Sequence, residues 1–229
     1  MKNIWITGGS SGIGFATAKK FIKANWSVVI SSSNENKLIK AKKEISKEFN
    51  NAKIYSVKCD ISKRKEVHDT VNEIEDKVGP INIALLNAAA YSPNKTQDFN
   101  IDNYELLIDV NLKGTLYCIE ILKKKMQERK DNQIAIVASP VGYRGLPTAG
   151  AYGLTKAGLI NLAESLFFDL KKNNIKIRVI NPGFIESEST NLNSFPMPFL
   201  KSSEYAANKI FVGLTKTNKF EIFFPKFFL

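Results

Sequence analysis

The sequence predicts an α/β fold, a doubly wound parallel sheet with helices on both faces, and three observations point there. Short apolar runs rich in β-branched residues alternate with longer stretches of helical period along the chain, the pattern of βαβ units. The first such run passes through a glycine-rich turn into a helix. No repeat, linker or low-complexity tract interrupts the alternation, so residues 1–229 are expected to form one domain.

The strands follow in order. Asn3-Ile4-Trp5-Ile6-Thr7 starts the sheet at once, and further runs lie near 27–31, 53–57, 82–87, 133–138, 175–180 and 220–224, giving seven strands. Between the second and third, Leu38, Ala41, Ile45 and Phe49 recur on one helical face; Val67, Val71, Ile74 and Val78 do the same after the third. Both stripes read as core. Gly79-Pro80 ends one helix and Asn173-Asn174 another. From Pro182 to Ser202 the pattern lapses into a Ser-, Asn- and Pro-rich stretch carrying Phe184, Phe195, Met197, Phe199 and Leu200, which reads as a substrate loop or lid over 184–201.

Composition narrows the class. An apolar fraction of 44% and a charged fraction of 24% are ordinary for a folded protein and exclude a disordered or fibrous chain. The formal charge of +11 raises the question of nucleic acid, but its lysines are scattered over the amphipathic segments without an arginine stripe interleaved with aromatics, so a solvated surface is expected and no nucleic-acid partner. Cys59 and Cys118 stand apart inside apolar stretches, without metal or redox spacing, and no metal site is expected. The N-terminus has no apolar signal segment and no run reaches the length of a membrane span, which fits a cytoplasmic protein. The apolar C-terminus, Phe220 to Leu229, is read as an edge strand with a packed or subunit-facing tail, a weak membrane-surface contact being the minority reading; its character also raises the expectation that the natural chain extends further.

Chemistry is expected in two places. Thr7-Gly8-Gly9-Ser10-Ser11-Gly12-Ile13-Gly14 sits between the first strand and helix, where glycine allows a tight turn, close approach of backbone amides to a pyrophosphate, and close helix packing. Tyr152-Gly153-Leu154-Thr155-Lys156 opens an apolar helix and puts phenol and ammonium on one face, one turn apart. A cation beside a phenol favours the phenolate; moving its pKa of about 10 toward neutrality takes about 3 units, roughly 4 kcal/mol. Such a phenol could give or take a proton at a carbonyl oxygen. Taken alone, each feature also has a plain structural explanation: any tight βα turn can use glycine, and a Tyr–Lys pair is commonplace on a helix surface.

With these motifs in register the sequence resembles the short-chain dehydrogenase/reductase family over nearly its whole length. Thr7, Gly8, Gly12 and Gly14 match its Thr-Gly-x-x-x-Gly-x-Gly motif, Tyr152 and Lys156 its Tyr-x-x-x-Lys pair, Ser139 its serine thirteen residues upstream, and Asn111 its helical asparagine. The resemblance implies a Rossmann domain with strand order 3-2-1-4-5-6-7 and an NAD(P)-dependent oxidoreductase interconverting a carbonyl and a secondary alcohol. Tyr152 would then be general acid in reduction and base in oxidation, Ser139 would hydrogen-bond the substrate oxygen, Lys156 would lower the phenol's pKa and hold the nicotinamide ribose, and Asn111 would support a water-linked proton path. It also implies cofactor contacts from Thr7, Gly8, Ser10, Ser11, Gly12, Ile13, Gly14, Ser32, Ser33, Asp60, Ile61, Asn87, Ala88, Ala89, Pro182, Gly183, Ile185 and Ser187, besides Tyr152 and Lys156. Asp60 would meet the adenine and Ser187 the carboxamide. Leu86 and Ala89 depart from the family's Asn-Asn-Ala-Gly around Asn87, which could tighten packing beneath the cofactor.

Cofactor choice turns on the end of the second strand. Ser31-Ser32-Ser33-Asn34 lacks the acidic residue that would repel a 2′-phosphate, so NADP is expected in preference to NAD, although no arginine stands there. The expected reaction is NADPH-driven reduction of a ketone or aldehyde, apolar to suit the aromatic and Met content of 184–201. A 3-oxoacyl-carrier-protein reductase, whose acidic partner the positive charge would suit, and a non-catalytic nucleotide-binding regulatory protein are the rival readings. A homodimer or homotetramer is expected, and His68, the sole histidine, is expected to be solvated.

Overall fold

A computed structural model of the chain describes residues 1–93 and 99–225. The last four residues, part of the expected subunit-facing or surface-contacting tail, lie outside the described ones. The strands are β1 (Asn3–Thr7), β2 (Ser27–Ser32), β3 (Ile54–Lys58), β4 (Ile83–Leu86), β5 (Asn132–Val137), β6 (Ile175–Pro182) and β7 (Glu221–Phe224). They form one seven-stranded sheet in the order 3-2-1-4-5-6-7, every pairing parallel, as the sequence led us to expect.

The helices are α1 (Gly12–Lys23), α2 (Glu35–Glu48), α3 (Arg64–Lys77), α4 (Ile101–Leu107), α5 (Gly114–Met126), α6 (Gly150–Lys172) and α7 (Ser203–Lys216). Because side chains alternate across a strand, each face of the sheet needs its own cover. Ile4, Ile6, Val28, Ile30 and Leu85 pack with Ala18 and Phe21 of α1, Ile45 of α2 and Ile210 of α7. Trp5, Val29, Ala84 and Ile136 pack with Val71 of α3, Leu122 of α5 and Ala163 of α6 on the opposite face. Both faces are therefore dry, and the free backbone of the strand ends is left to build a site.

Local chemistry sets the helix limits. The Asn34 side chain accepts from the Lys37 amide (3.0 Å) and starts α2; Ser202 does the same for α7 through the Tyr205 amide (3.2 Å). Asn174 at φ +58° and Gly79 at φ +110° turn the chain out of α6 and α3, at the two stops expected from the sequence. Between α4 and α5 the helix continues through a π turn over residues 108–113, which no sequence pattern announced.

β6 carries a buried arginine. Arg178 donates to the carbonyls of Gly213, Thr217 and Lys219, so its charge closes the C-terminal end of α7, where the helix dipole favours a cation. That anchors the turn into β7. Residues 184–201 hold little regular structure beyond a single 3-10 turn, but their ends are tied together by an Ile185–Lys201 bridge.

Candidate active site

A cleft of about 890 Å³ runs across the C-terminal ends of the strands, over the point where strand order reverses between β1 and β4. At its centre lies the turn from β1 into α1. Gly8 has φ +64°, and a Cβ there would stand 2.8 Å from the Ala88 Cα, so only glycine fits. At Gly14 a Cβ would lie 2.4 Å from the Gly8 carbonyl oxygen, which is how the helix comes so close to the turn. Gly12, at φ +51°, faces the cleft, and a Cβ there would approach only Ser187. No acidic residue stands in the first turn of α1, whose amides open toward the cleft.

The expected residues divide into lining and support. Gly8, Ser10, Ser11, Gly12, Ile13, Ser32, Ser33, Asp60, Ile61, Asn87, Ala88, Ala89, Pro182, Gly183, Ile185 and Ser187 line the cleft, as do Ser139, Tyr152 and Lys156. Thr7, Gly14 and Asn111 do not. The Thr7 hydroxyl accepts from the amides of Asn87 (2.9 Å) and Ala88 (3.0 Å), and the Asn87 carboxamide donates to the Thr7 and Gly8 carbonyls, stitching the β1 and β4 turns together. Asn111, 1% exposed, sits in the π turn. Its Oδ1 accepts from the Ala90 amide (2.8 Å); its Nδ2 donates to the Ala90 carbonyl (3.0 Å) and to Thr155 Oγ1 (3.1 Å). Both ends of that amide are engaged in holding the 87–91 segment to α6.

At the other end, Ser139 follows β5 and caps the short 3-10 turn after it, its hydroxyl accepting from the Val141 amide. Tyr152 and Lys156 project from the first turns of α6. The ammonium does not pair with the phenol oxygen as the helical spacing had suggested. Lys156 is 2% exposed; its Nζ lies 5.3 Å from the centroid of the Tyr152 ring and donates to the Val137 carbonyl at 2.7 Å. Burial therefore governs both groups, pushing the lysine down to about 7 and the phenol above its ordinary range. The expected lowering of the phenol pKa by an adjacent charge is corrected to that extent.

Other parts of the cleft were not foreseen. Lys37, in the first turn of α2, lines it beside Ser32 and Ser33 and pairs with Glu188 of the 184–201 loop at 2.5 Å. Tyr91, Tyr143, Arg144 and Asn193 line the end nearest Tyr152. Asp60 lines the cleft while its Oδ1 accepts from the Ser62 amide and hydroxyl. His68 lies outside, in a surface cluster with Arg64 and Glu120.

The short chain dehydrogenase model matches residues 2–195. The chain belongs to the short-chain dehydrogenase family. It is 29% identical over 212 residues to an uncharacterized oxidoreductase of Staphylococcus epidermidis, covering 92% of this chain and 90% of that one. It is also 31% identical over 198 residues to the 3-ketodihydrosphingosine reductase of Bos taurus, covering 82% of this chain but 59% of that protein. Among solved structures, an NADPH-bound short chain oxidoreductase from Pseudomonas aeruginosa PAO1 described as containing an atypical catalytic center superposes with a TM-score of 0.87 at 20% identity, over 97% of this chain and 94% of that one. The short-chain dehydrogenase family binds NAD(P) and acts on small molecules, so the chain is an oxidoreductase. Among the described residues no helix is long and apolar enough to cross a membrane.

Proposed function

We propose that the chain reduces a ketone or aldehyde to an alcohol with NADPH, using Tyr152, Ser139 and Lys156. The observation that carries this reading is that one continuous cleft is lined both by the glycine turn at β1 and by Ser139 and Tyr152. The cleft suits a dinucleotide: α1 offers amides to a diphosphate, Asp60 and Ile61 an adenine subsite, and Pro182, Gly183, Ile185 and Ser187 a nicotinamide subsite. When bound, the cofactor supplies the hydride.

The protein's own part is to hold the carbonyl and provide a proton. A phenol is protonated at neutral pH, and burial keeps Tyr152 in that form, the one that can give a proton to a carbonyl oxygen. Ser139 donates a second hydrogen bond to the same oxygen, stabilising charge as it develops. Lys156, held by the Val137 carbonyl, presents its amino group beside the phenol ring, where a nicotinamide ribose would lie. Asn111 acts through the backbone of Ala90 and through Thr155 and sets the wall against which Tyr152 rests.

Ser32, Ser33 and Lys37 support NADPH over NADH, since hydroxyls and a cation can meet a 2′-phosphate. Leu106, Val110, Leu146, Phe184 and Phe195 line the substrate end and favour an apolar carbonyl compound, and one relative is named as a 3-ketodihydrosphingosine reductase. The 184–201 segment then serves as the lid of a single domain. Exposed Leu154 and Phe168 on α6 and Leu116 on α5 offer a face for a second copy, and oligomers are frequent in the family. Loss of NADPH absorbance with a panel of long-chain ketones and aldehydes tests the reading. A strong loss of turnover in Tyr152→Phe is expected; NADPH binding without reduction of any carbonyl would overturn it.

A further inference from the structure

The segment that follows β4 carries a tyrosine with two attachments. The Tyr91 ring packs edge-on against Tyr152, centroids 4.8 Å apart and planes at 84°. Its hydroxyl donates to Oδ1 of Asn193, 102 residues away in the 184–201 loop, and Asn193 Nδ2 donates onward to Met197 Sδ at 3.3 Å. Tyr91, Tyr152 and Asn193 all line the cleft.

Tyr91 is not free to wander. Its neighbour Ala90 is gripped at both amide and carbonyl by Asn111, which is itself tied to Thr155 on α6, between Tyr152 and Lys156. One face of the Tyr91 ring's surroundings is therefore fixed to the helix that bears the phenol. The other attachment is to a loop that forms the substrate wall. A single side chain thus touches both the proton donor and the loop.

Resting on the reading above, we infer that Tyr91 is a positioning residue that couples docking of the 184–201 loop to the orientation of the Tyr152 phenol. The edge-on contact holds one ring setting of Tyr152, because a displaced neighbour would leave room for the ring to turn out of that setting. The hydrogen bond to Asn193 makes that setting depend on the loop being in place. Substrate that seats the loop would at the same time complete the proton donor.

The two attachments can be separated. Tyr91→Phe keeps the ring and loses the Asn193 bond; Tyr91→Ala loses both; Asn193→Ala removes the bond from the loop side. Amide hydrogen exchange on the full chain, with no ligand added, is expected to rise about fivefold over residues 187–200 in Tyr91→Phe and in Asn193→Ala, with no further rise in the double variant. The strands β1 and β4 should exchange as before, which shows that the fold is intact. In NADPH-dependent reduction, Tyr91→Phe should raise KM about fivefold with kcat within twofold, whereas Tyr91→Ala should also lower kcat about tenfold without weakening NADPH binding. Unchanged loop exchange in both single variants, additive effects in the double variant, or an equal loss of kcat in the Phe and Ala variants would overturn the coupling. If the wild type reduces no carbonyl, the reductase reading fails, and the exchange result still decides the link between Tyr91 and the loop.

Discussion

Replacing Lys156 by methionine should flatten the alkaline rise in stability that this buried lysine imposes on the protein. Methionine keeps most of the volume and removes the charge. In the folded chain the group titrates near 7, against an ordinary value of 10.5 when unfolded. At pH 8 the unfolded chain thus holds a proton there that the folded chain has released, so the unfolded state binds more protons and folding stability increases with pH. From these two values the increase between pH 7.5 and 9.5 is on the order of 2–3 kcal/mol, and the cost of burying the group at pH 7.5 is on the order of 4 kcal/mol. Losing the bond to the Val137 carbonyl costs the variant about 1 kcal/mol, so Lys156→Met should still be the more stable protein at pH 7.5. Cys59 and Cys118, both raised by burial, push stability the opposite way over this range. Urea titrations of wild type and variant at each pH, without nucleotide, cancel that contribution because both proteins carry the cysteines. The stability difference should shrink steadily across the window; a difference constant to within about 0.5 kcal/mol would refute the assignment of Lys156 as a buried group released from its proton near neutrality.

Three further outcomes follow from the same site. Tyr152→Phe should cut carbonyl reduction by about 10²- to 10⁴-fold, the usual value of a positioned proton donor, while the NADPH dissociation constant measured by fluorescence stays within about twofold. Lys37→Glu, placing a carboxylate beside Ser32 and Ser33, should reverse the ratio of kcat/KM for NADPH and NADH by about 10- to 100-fold; an unchanged ratio would remove Lys37 from the 2′-phosphate site. Gly14→Ala forces a methyl to within 2.4 Å of the Gly8 carbonyl and should cost about 1–3 kcal/mol of stability in thermal unfolding, together with at least roughly tenfold in nucleotide affinity.

The parts of the molecule read most directly from the chain are those whose causes are local. Every strand lies within two residues of its expected limits because alternating apolar faces and flanking turns are short-range signals. The β1–α1 turn was legible for the same reason: its glycines answer to clashes within one motif and with the neighbouring strand turn. The charge state around Tyr152 was not. Helical spacing brings Lys156 alongside the phenol, but the side chain's end is decided by the Val137 carbonyl on another element, and desolvation then outweighs the pairing. Tyr91 and Asn193 escaped notice because their bond spans 102 residues and leaves no periodic trace. Lys37 had a usable signal. It follows the Asn34 cap in the first turn of a helix leaving the very strand end that selects the cofactor. The π turn that turns Asn111 inward differs from an α-helix by one residue, too little for apolar periodicity to register.

A crystal structure of the chain with NADPH bound tests the central claim most directly. The nicotinamide should lie against Ser139, Tyr152 and Lys156, with its reactive carbon about 4 Å from the Tyr152 hydroxyl, and the 2′-phosphate should sit beside Ser32, Ser33 and Lys37. A nucleotide bound the other way round, or one whose nicotinamide is separated from the phenol by the Tyr91 ring, would contradict it.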